Sequence, residues 1–99
     1  MKLEELVIQW AKEKDLLNPE YKFQQLAKIT EELGELNKAV LKNDLFGITD
    51  GLGDVQVTLI ILAKQLGLDY NACLNVAYEE IKNRTGKTVN GTFIKNDNK

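Results

Sequence analysis

The sequence predicts an all-α fold of four or five helices, completed by self-association. Apolar residues recur at helical spacing through most of the 99-residue chain, and cap-forming residues stand ahead of the periodic stretches. The long β-branched stretch from Leu52 to Leu66 does not alternate as a strand would, and it closes on Gly67, the residue type expected just beyond a helix.

Leu3, Leu6, Val7 and Trp10 define a first helix of about three turns whose pattern fades near Lys14-Asp15. Asn18-Pro19 starts the next one. Asn18 caps exposed backbone donors, and Pro19 takes the first helical position, where its missing N–H costs nothing. This second helix carries Leu26, Ile29, Leu33, Leu36 and Val40 as its apolar stripe and ends near Lys42-Asn43. Asn43 to Thr49, with Gly47, reads as the connection, and Thr49 or Asp50 as the cap of a third helix containing Leu52, Val55, Leu59, Ile60 and Leu62. Asp69 caps a fourth helix with Leu74, Ala77, Tyr78 and Ile81, ending near Arg84-Thr85-Gly86. Residues 87–99 read as a short, polar tail of a single domain spanning 1–99, in which Gly86 and Gly91 govern turns.

Composition narrows the chemistry. Fifteen acidic residues against thirteen basic give a net charge of -2, with the lysines scattered, so no nucleic-acid polymer is expected as partner. The longest unbroken apolar run, Leu59 to Ala63, is far below the roughly 20 residues of a bilayer span, and Met1 to Glu5 turns charged too early for a signal peptide. A cytoplasmic protein without membrane contact is the expectation. One cysteine and no histidine exclude an internal disulfide, the usual zinc sites and imidazole as a base. Cys73 reads as a small buried side chain.

Carboxylates are the remaining candidates. Glu31 and Glu35 lie four positions apart on one helix face, with Glu32 about a hundred degrees from Glu31, all three directed away from the apolar stripe. Such crowding weakens a helix unless a cation compensates, and magnesium suits oxygen ligands of this kind. Asp54 is a further carboxylate in an apolar helix, where ionisation calls for a partner or a metal. Asp50, one turn earlier, either caps the helix or joins the cluster. The alternative is a solvated acidic face balanced by Lys28, Lys38 and Lys42.

The stretch Gln25-Leu26-Ala27-Lys28-Ile29-Thr30-Glu31-Glu32-Leu33-Gly34-Glu35-Leu36, followed by Asp50-Gly51-Leu52-Gly53-Asp54-Val55, resembles the all-α nucleoside triphosphate pyrophosphohydrolase superfamily, specifically small MazG-like proteins of bacteria and phages. The segment from Ala77 to Lys95 extends the similarity. The resemblance implies a helical bundle, a homodimer or homotetramer, and magnesium-dependent conversion of an NTP or dNTP to its monophosphate and pyrophosphate. It implies Glu31, Glu32, Glu35 and Asp54 as metal positions, Asp50 as an added one, and Glu32 or Glu35 as the base. The later motif departs from the family: Gly51 stands where a glutamate is usual. Asp50 then substitutes for it, or the site binds fewer or weaker metals, or it has lost hydrolysis and only binds nucleotide or metal. A structural helical oligomer is the third reading.

The resemblance also implies nucleotide contacts. Asn75, Tyr78 and Lys82 share one helix face, and Arg84 can fork across phosphate oxygens. Lys28 joins these substrate-binding candidates, and Trp10 either stacks on a base or packs on its neighbours. Tyr78 as a core-edge aromatic, Asn75 as a surface amide, and Lys82 or Arg84 as ion-pair partners are the structural alternatives.

Overall fold

The computed structural model describes residues 2–96. It holds α1 (Leu3–Glu13), a 3₁₀ turn (Pro19–Tyr21), α2 (Lys22–Leu41), α3 (Leu45–Gln65), α4 (Tyr70–Ile81) and a two-stranded antiparallel hairpin, β1 (Gly86–Val89) and β2 (Thr92–Lys95). The expected all-α, MazG-like helical architecture is present, with the hairpin as its addition.

One local device stops three of the four helices. After α1, α2 and α3 the chain enters the left-handed region at Asp15, Asn43 and Gly67 (φ 58°, 55° and 75°). The next residue then donates back into the helix: Leu16 to the Ala11 carbonyl, Asp44 to Ala39 and Leu68 to Ala63. These are paired C-terminal caps that satisfy otherwise orphaned carbonyls. Asp44 also caps the helix that follows, accepting from the Gly47 N–H at 3.1 Å. The α2–α3 connection is therefore only Lys42 to Asp44, shorter than the expected Asn43–Thr49 loop, and Thr49 and Asp50 lie inside α3. Asp69 caps α4 by accepting from Ala72. Asn18 caps the 3₁₀ turn ahead of α2, and α4 stops at Ile81 rather than near Gly86.

Helices α2 and α3 run antiparallel along a seam of paired positions. A β-carbon on Gly47 would touch Ala39, one on Gly51 would touch Leu36, and Gln25 Nε2 donates to the Thr58 carbonyl at 2.9 Å. As one number rises the other falls, which fixes the antiparallel sense. Two glycines on α3 let the backbones approach closely. Helix α1 and α4 also pack on α3, and Gln65 Nε2 ties the α3 end to the Leu16 carbonyl at 2.8 Å.

The apolar stripes are displaced from their expected positions. On α2 the buried residues are Gln25, Ile29, Glu32 and Ala39, while Leu26, Leu33 and Val40 are exposed. On α1, Ala11 is buried and Leu3, Leu6 and Trp10 face out; every residue of α4 except Tyr70 is exposed, Cys73 included. Helix α3 is long and apolar enough to cross a membrane by length and composition, which the short unbroken run had not suggested. Three helices use part of that apolarity, and the rest, Leu45, Phe46 and Leu52 among it, faces outward.

The stretch read as an unpatterned tail forms the hairpin. Its register pairs Gly86 with Lys95 and Val89 with Thr92, around Asn90-Gly91, both at positive φ (50° and 80°), the mirror-image turn that matches strand twist. A β-carbon at Gly86 would collide with the Ile94 carbonyl and the Phe93 ring. The last three positions of that tail, 97–99, lie outside the described residues.

Candidate active site

The seam between α2 and α3 carries the acidic residues. Glu32 is buried, 8% exposed, so it lies on the packed face of α2 and not on the solvent side with Glu31 and Glu35. The reason is geometric: the paired positions along the seam include Leu36 and Gln25, and Glu32 falls between them on the same arc. Its Oε2 is shielded from solvent and has no hydrogen-bond partner, while Oε1 lies 3.4 Å from Lys28 Nζ. Lys28 also meets Glu31 at 3.4 Å, and these two carboxylates, Glu31 first, raise its pKa.

Asp54 faces Glu32 across the seam. Burial holds its pKa above the usual aspartate value, and the charges of Asp50 and Glu32 push in the same direction, with Lys28 opposing. Two clefts open on either side of Asp54. The first, about 330 Å³, is lined by Trp10, Gln25, Lys28, Glu32, Asp54 and the apolar Leu16, Val57 and Ile61. The second, about 210 Å³, is lined by Glu35, Asp50, Asp54 and Asp44 together with Lys38 and Lys42. One cleft offers an indole and an apolar floor, the other carboxylates.

The seam thus brings together Glu32, Asp54, Asp50, Glu35, Lys28 and Trp10. Glu31 stays on the outer surface, tied to Lys28. Gly51 is buried beneath Leu36. Asp50, one residue before it, lines the cleft with Glu35 and Asp54. Asn75, Tyr78, Lys82 and Arg84 line neither cleft; Lys82 pairs with Glu79, and Arg84 with Glu80 at 3.0 Å. Gln25, Lys38, Lys42 and Asp44 were not singled out as site residues from sequence; Gln25 sits two helical turns before Glu32, and that spacing is the signal that finds it.

Among the described residues no three of these carboxylates converge as a ready-made ligand set. The donor chemistry nonetheless suits a divalent cation: an unpartnered buried oxygen on Glu32 and a mutually repelling set at Asp50 and Asp54 are groups that a cation would satisfy.

The helical bundle with its carboxylate-lined seam has the architecture of the MazG-like helical superfamily. The chain belongs to the phosphoribosyl-ATP pyrophosphohydrolase (PRA-PH) family, whose sequence profile matches residues 2–83, a family of pyrophosphohydrolases acting on nucleotides. It is also similar to an uncharacterised 18.2 kDa protein from the rep–hol intergenic region of Haemophilus phage HP1 (strain HP1c1), with 41% identity over 61 residues. That alignment covers 62% of this chain and 37% of the phage protein, so the chain spans little more than a third of that relative's length. No solved structure matches the chain.

Proposed function

We propose that the protein is a magnesium-dependent nucleoside triphosphate pyrophosphohydrolase, releasing a nucleoside monophosphate and pyrophosphate. The observation that carries this reading is the opposition of Glu32 and Asp54 across the seam, beside a cleft with an indole in its wall. Glu32, Glu35, Asp50 and Asp54 would hold the ion, with Glu31 at the outer margin. Bound there, it would offset triphosphate charge and lower the pKa of a water ligand.

The chain's own residues supply the remaining chemistry. Trp10 presents its ring to the nucleobase, a sequence-tolerant stacking platform. Lys28 releases Glu31 and Glu32 to meet phosphate. Glu32 or Glu35 accepts a proton from the water that attacks the α-phosphorus, and the bond from that phosphorus to the bridging oxygen of the β-phosphate breaks as pyrophosphate departs. Asn75, Tyr78, Lys82 and Arg84 serve the substrate from α4 of another copy, in a homodimer or homotetramer. The chain's surface, 7906 Å², exceeds the roughly 5,700 Å² typical of a monomer of this mass, which supports self-association.

A second reading has one observation in its favour. Gly51 supplies no ligand where the superfamily motif usually has a glutamate, so the same seam serves a protein that binds nucleotide or metal without turnover. The test is a panel of ribo- and deoxyribonucleoside triphosphates, with phosphoribosyl-ATP included, incubated with magnesium and analysed by product. Equal amounts of monophosphate and pyrophosphate support hydrolysis. Binding by calorimetry without any product supports the second reading, and orthophosphate as the only phosphate product overturns the proposed bond cleavage.

A further inference from the structure

The hairpin Gly86–Lys95 packs on no other described element, and all eight strand residues are exposed. An isolated two-stranded hairpin is marginal in water, since it buries too little to offset its ordering. Val89, Phe93 and Ile94 are left bare on it. The hairpin also lies beyond residues 2–83, the part matched by the family profile.

Charge is distributed unevenly between this arm and the rest of the chain. Residues 1–80 carry fourteen acidic side chains against eight basic ones, whereas Ile81 to Asn96 carries Lys82, Arg84, Lys87 and Lys95 and no acid at all. Lys82 and Arg84, at the root of the arm, are engaged by Glu79 and Glu80. Lys87 and Lys95, on the strands, have no ion-pair partner among the described residues. The register sets Lys87 beside Val89 and Ile94 on one face of the hairpin, a cation flanked by aliphatic side chains.

The α2–α3 seam has the complementary character. Its five carboxylates, Glu32, Glu35, Asp44, Asp50 and Asp54, outnumber Lys28, Lys38 and Lys42, and its first cleft has an apolar floor of Leu16, Val57 and Ile61. The surface excess over a typical monomer is about 2,200 Å², ample for the roughly 800 Å² per partner of a standard interface. The radius of gyration, 16.3 Å, likewise exceeds the roughly 12.6 Å of a compact chain this long.

We propose that the hairpin of one copy docks across the α2–α3 seam of a second copy, with the Lys87 face turned to it, Lys87 against the carboxylates and Val89 and Ile94 toward the apolar floor. A two-fold arrangement makes the exchange reciprocal, each copy receiving the other's arm. Docking carries Arg84, at the arm's root, toward the same seam, where a polyphosphate would need a cation. That last step rests on the proposed hydrolase reading; the docking rests only on charge, exposure and area.

The experiment uses cysteine cross-linking in a Cys73→Ser background. Copies carrying Thr88→Cys on the hairpin are co-expressed with differently tagged copies carrying Lys42→Cys at the seam, and a short bis-maleimide is added. A second combination, Thr92→Cys with Lys38→Cys, guards against one poorly folded variant, and helical content is checked by circular dichroism. The expected result is a mixed-tag product that falls several-fold at about 1 M salt, where the screening length shrinks to about 3 Å. No mixed product from either combination of folded variants overturns the proposal. So does a product from hairpin-substituted copies alone without the mixed one, which would mean that hairpins pair with each other. The readout needs no turnover, so an inactive protein leaves it decisive.

Discussion

Gly51 and Leu36 meet in the α2–α3 seam: a β-carbon at position 51 would lie 3.2 Å from Leu36 Cδ1 and 3.4 Å from Leu36 Cα. The position where the superfamily usually carries a ligand is here occupied by helix packing. Asp50 and Asp54 flank it on the neighbouring arc and line one cleft with Glu35, so carboxylate chemistry persists beside a tight contact where even a β-carbon would press on Leu36.

That contact predicts the effect of restoring the glutamate. Gly51→Ala gains about 1 kcal/mol of helix propensity against an overpacking cost of about 1–3 kcal/mol, so it lies near neutral or mildly destabilising. Gly51→Glu adds a carboxylate at a buried position beside Asp50 and Asp54 and is expected to cost about 2 kcal/mol or more. Thermal unfolding without divalent cations checks the order; a Gly51→Glu protein melting above wild type would refute it.

Asp54 has a folded-state pKa above its ordinary value, through burial and then the charges of Asp50 and Glu32. The folded state therefore holds a proton that the unfolded state releases, and stability falls as pH rises from the usual aspartate pKa of 3.8 through the raised one. Asp54→Asn removes the opposed charge. It is expected to unfold at a higher temperature than wild type near pH 7 and to lose that advantage near pH 3, as read by melting curves across the range.

A divalent cation is expected to stabilise the wild-type chain, because it binds the folded seam and not the unfolded chain. At a concentration a hundredfold above its dissociation constant the gain is about 2.7 kcal/mol. Glu32→Gln removes the charge at the buried unpartnered oxygen and should abolish most of that shift while leaving the magnesium-free melting point equal or higher. A full-sized magnesium shift in the variant would remove Glu32 from the ligand set.

Gln65 is 3% exposed and donates from Nε2 to the Leu16 carbonyl. Gln65→Leu keeps the volume and deletes this tie between the end of α3 and the segment after α1. The expected loss is about 1–2 kcal/mol in urea unfolding. No loss would mean that the orphaned Gln65 Oε1 costs as much as the donated bond contributes.

Much of the secondary structure was legible because its signals are local. Pro19 after Asn18, Gly67 after a long apolar run and Asp69 before a new one act through their own backbone, and each marks the element boundary expected of it. The hairpin was legible in principle too, since Asn90-Gly91 between short β-prone stretches is a strong turn signal, but its strands, at four residues each, are too short to show periodicity. The α2–α3 boundary was harder. Asn43 and Asp44 stop one helix and start the next in three residues, so the wider loss of apolar pattern up to Thr49 does not mark a loop.

By itself, the sequence determined the helices, their order, the absence of imidazole and disulfide chemistry, and the carboxylates from which any site must be built. Only the tertiary structure decided which of those carboxylates lies inward. Helical periodicity ranks faces by hydropathy and marks Leu26, Ile29, Leu33, Leu36 and Val40 as one stripe, of which only Ile29 and Leu36 turn toward α3. Close approach at Gly47 and Gly51 instead turns Gln25, Glu32 and Ala39 toward α3, because glycine permits a packing distance that larger residues forbid. That rotation buries Glu32 opposite Asp54, leaves Glu31 outside, tied to Lys28, and exposes Leu26, Leu33 and Val40.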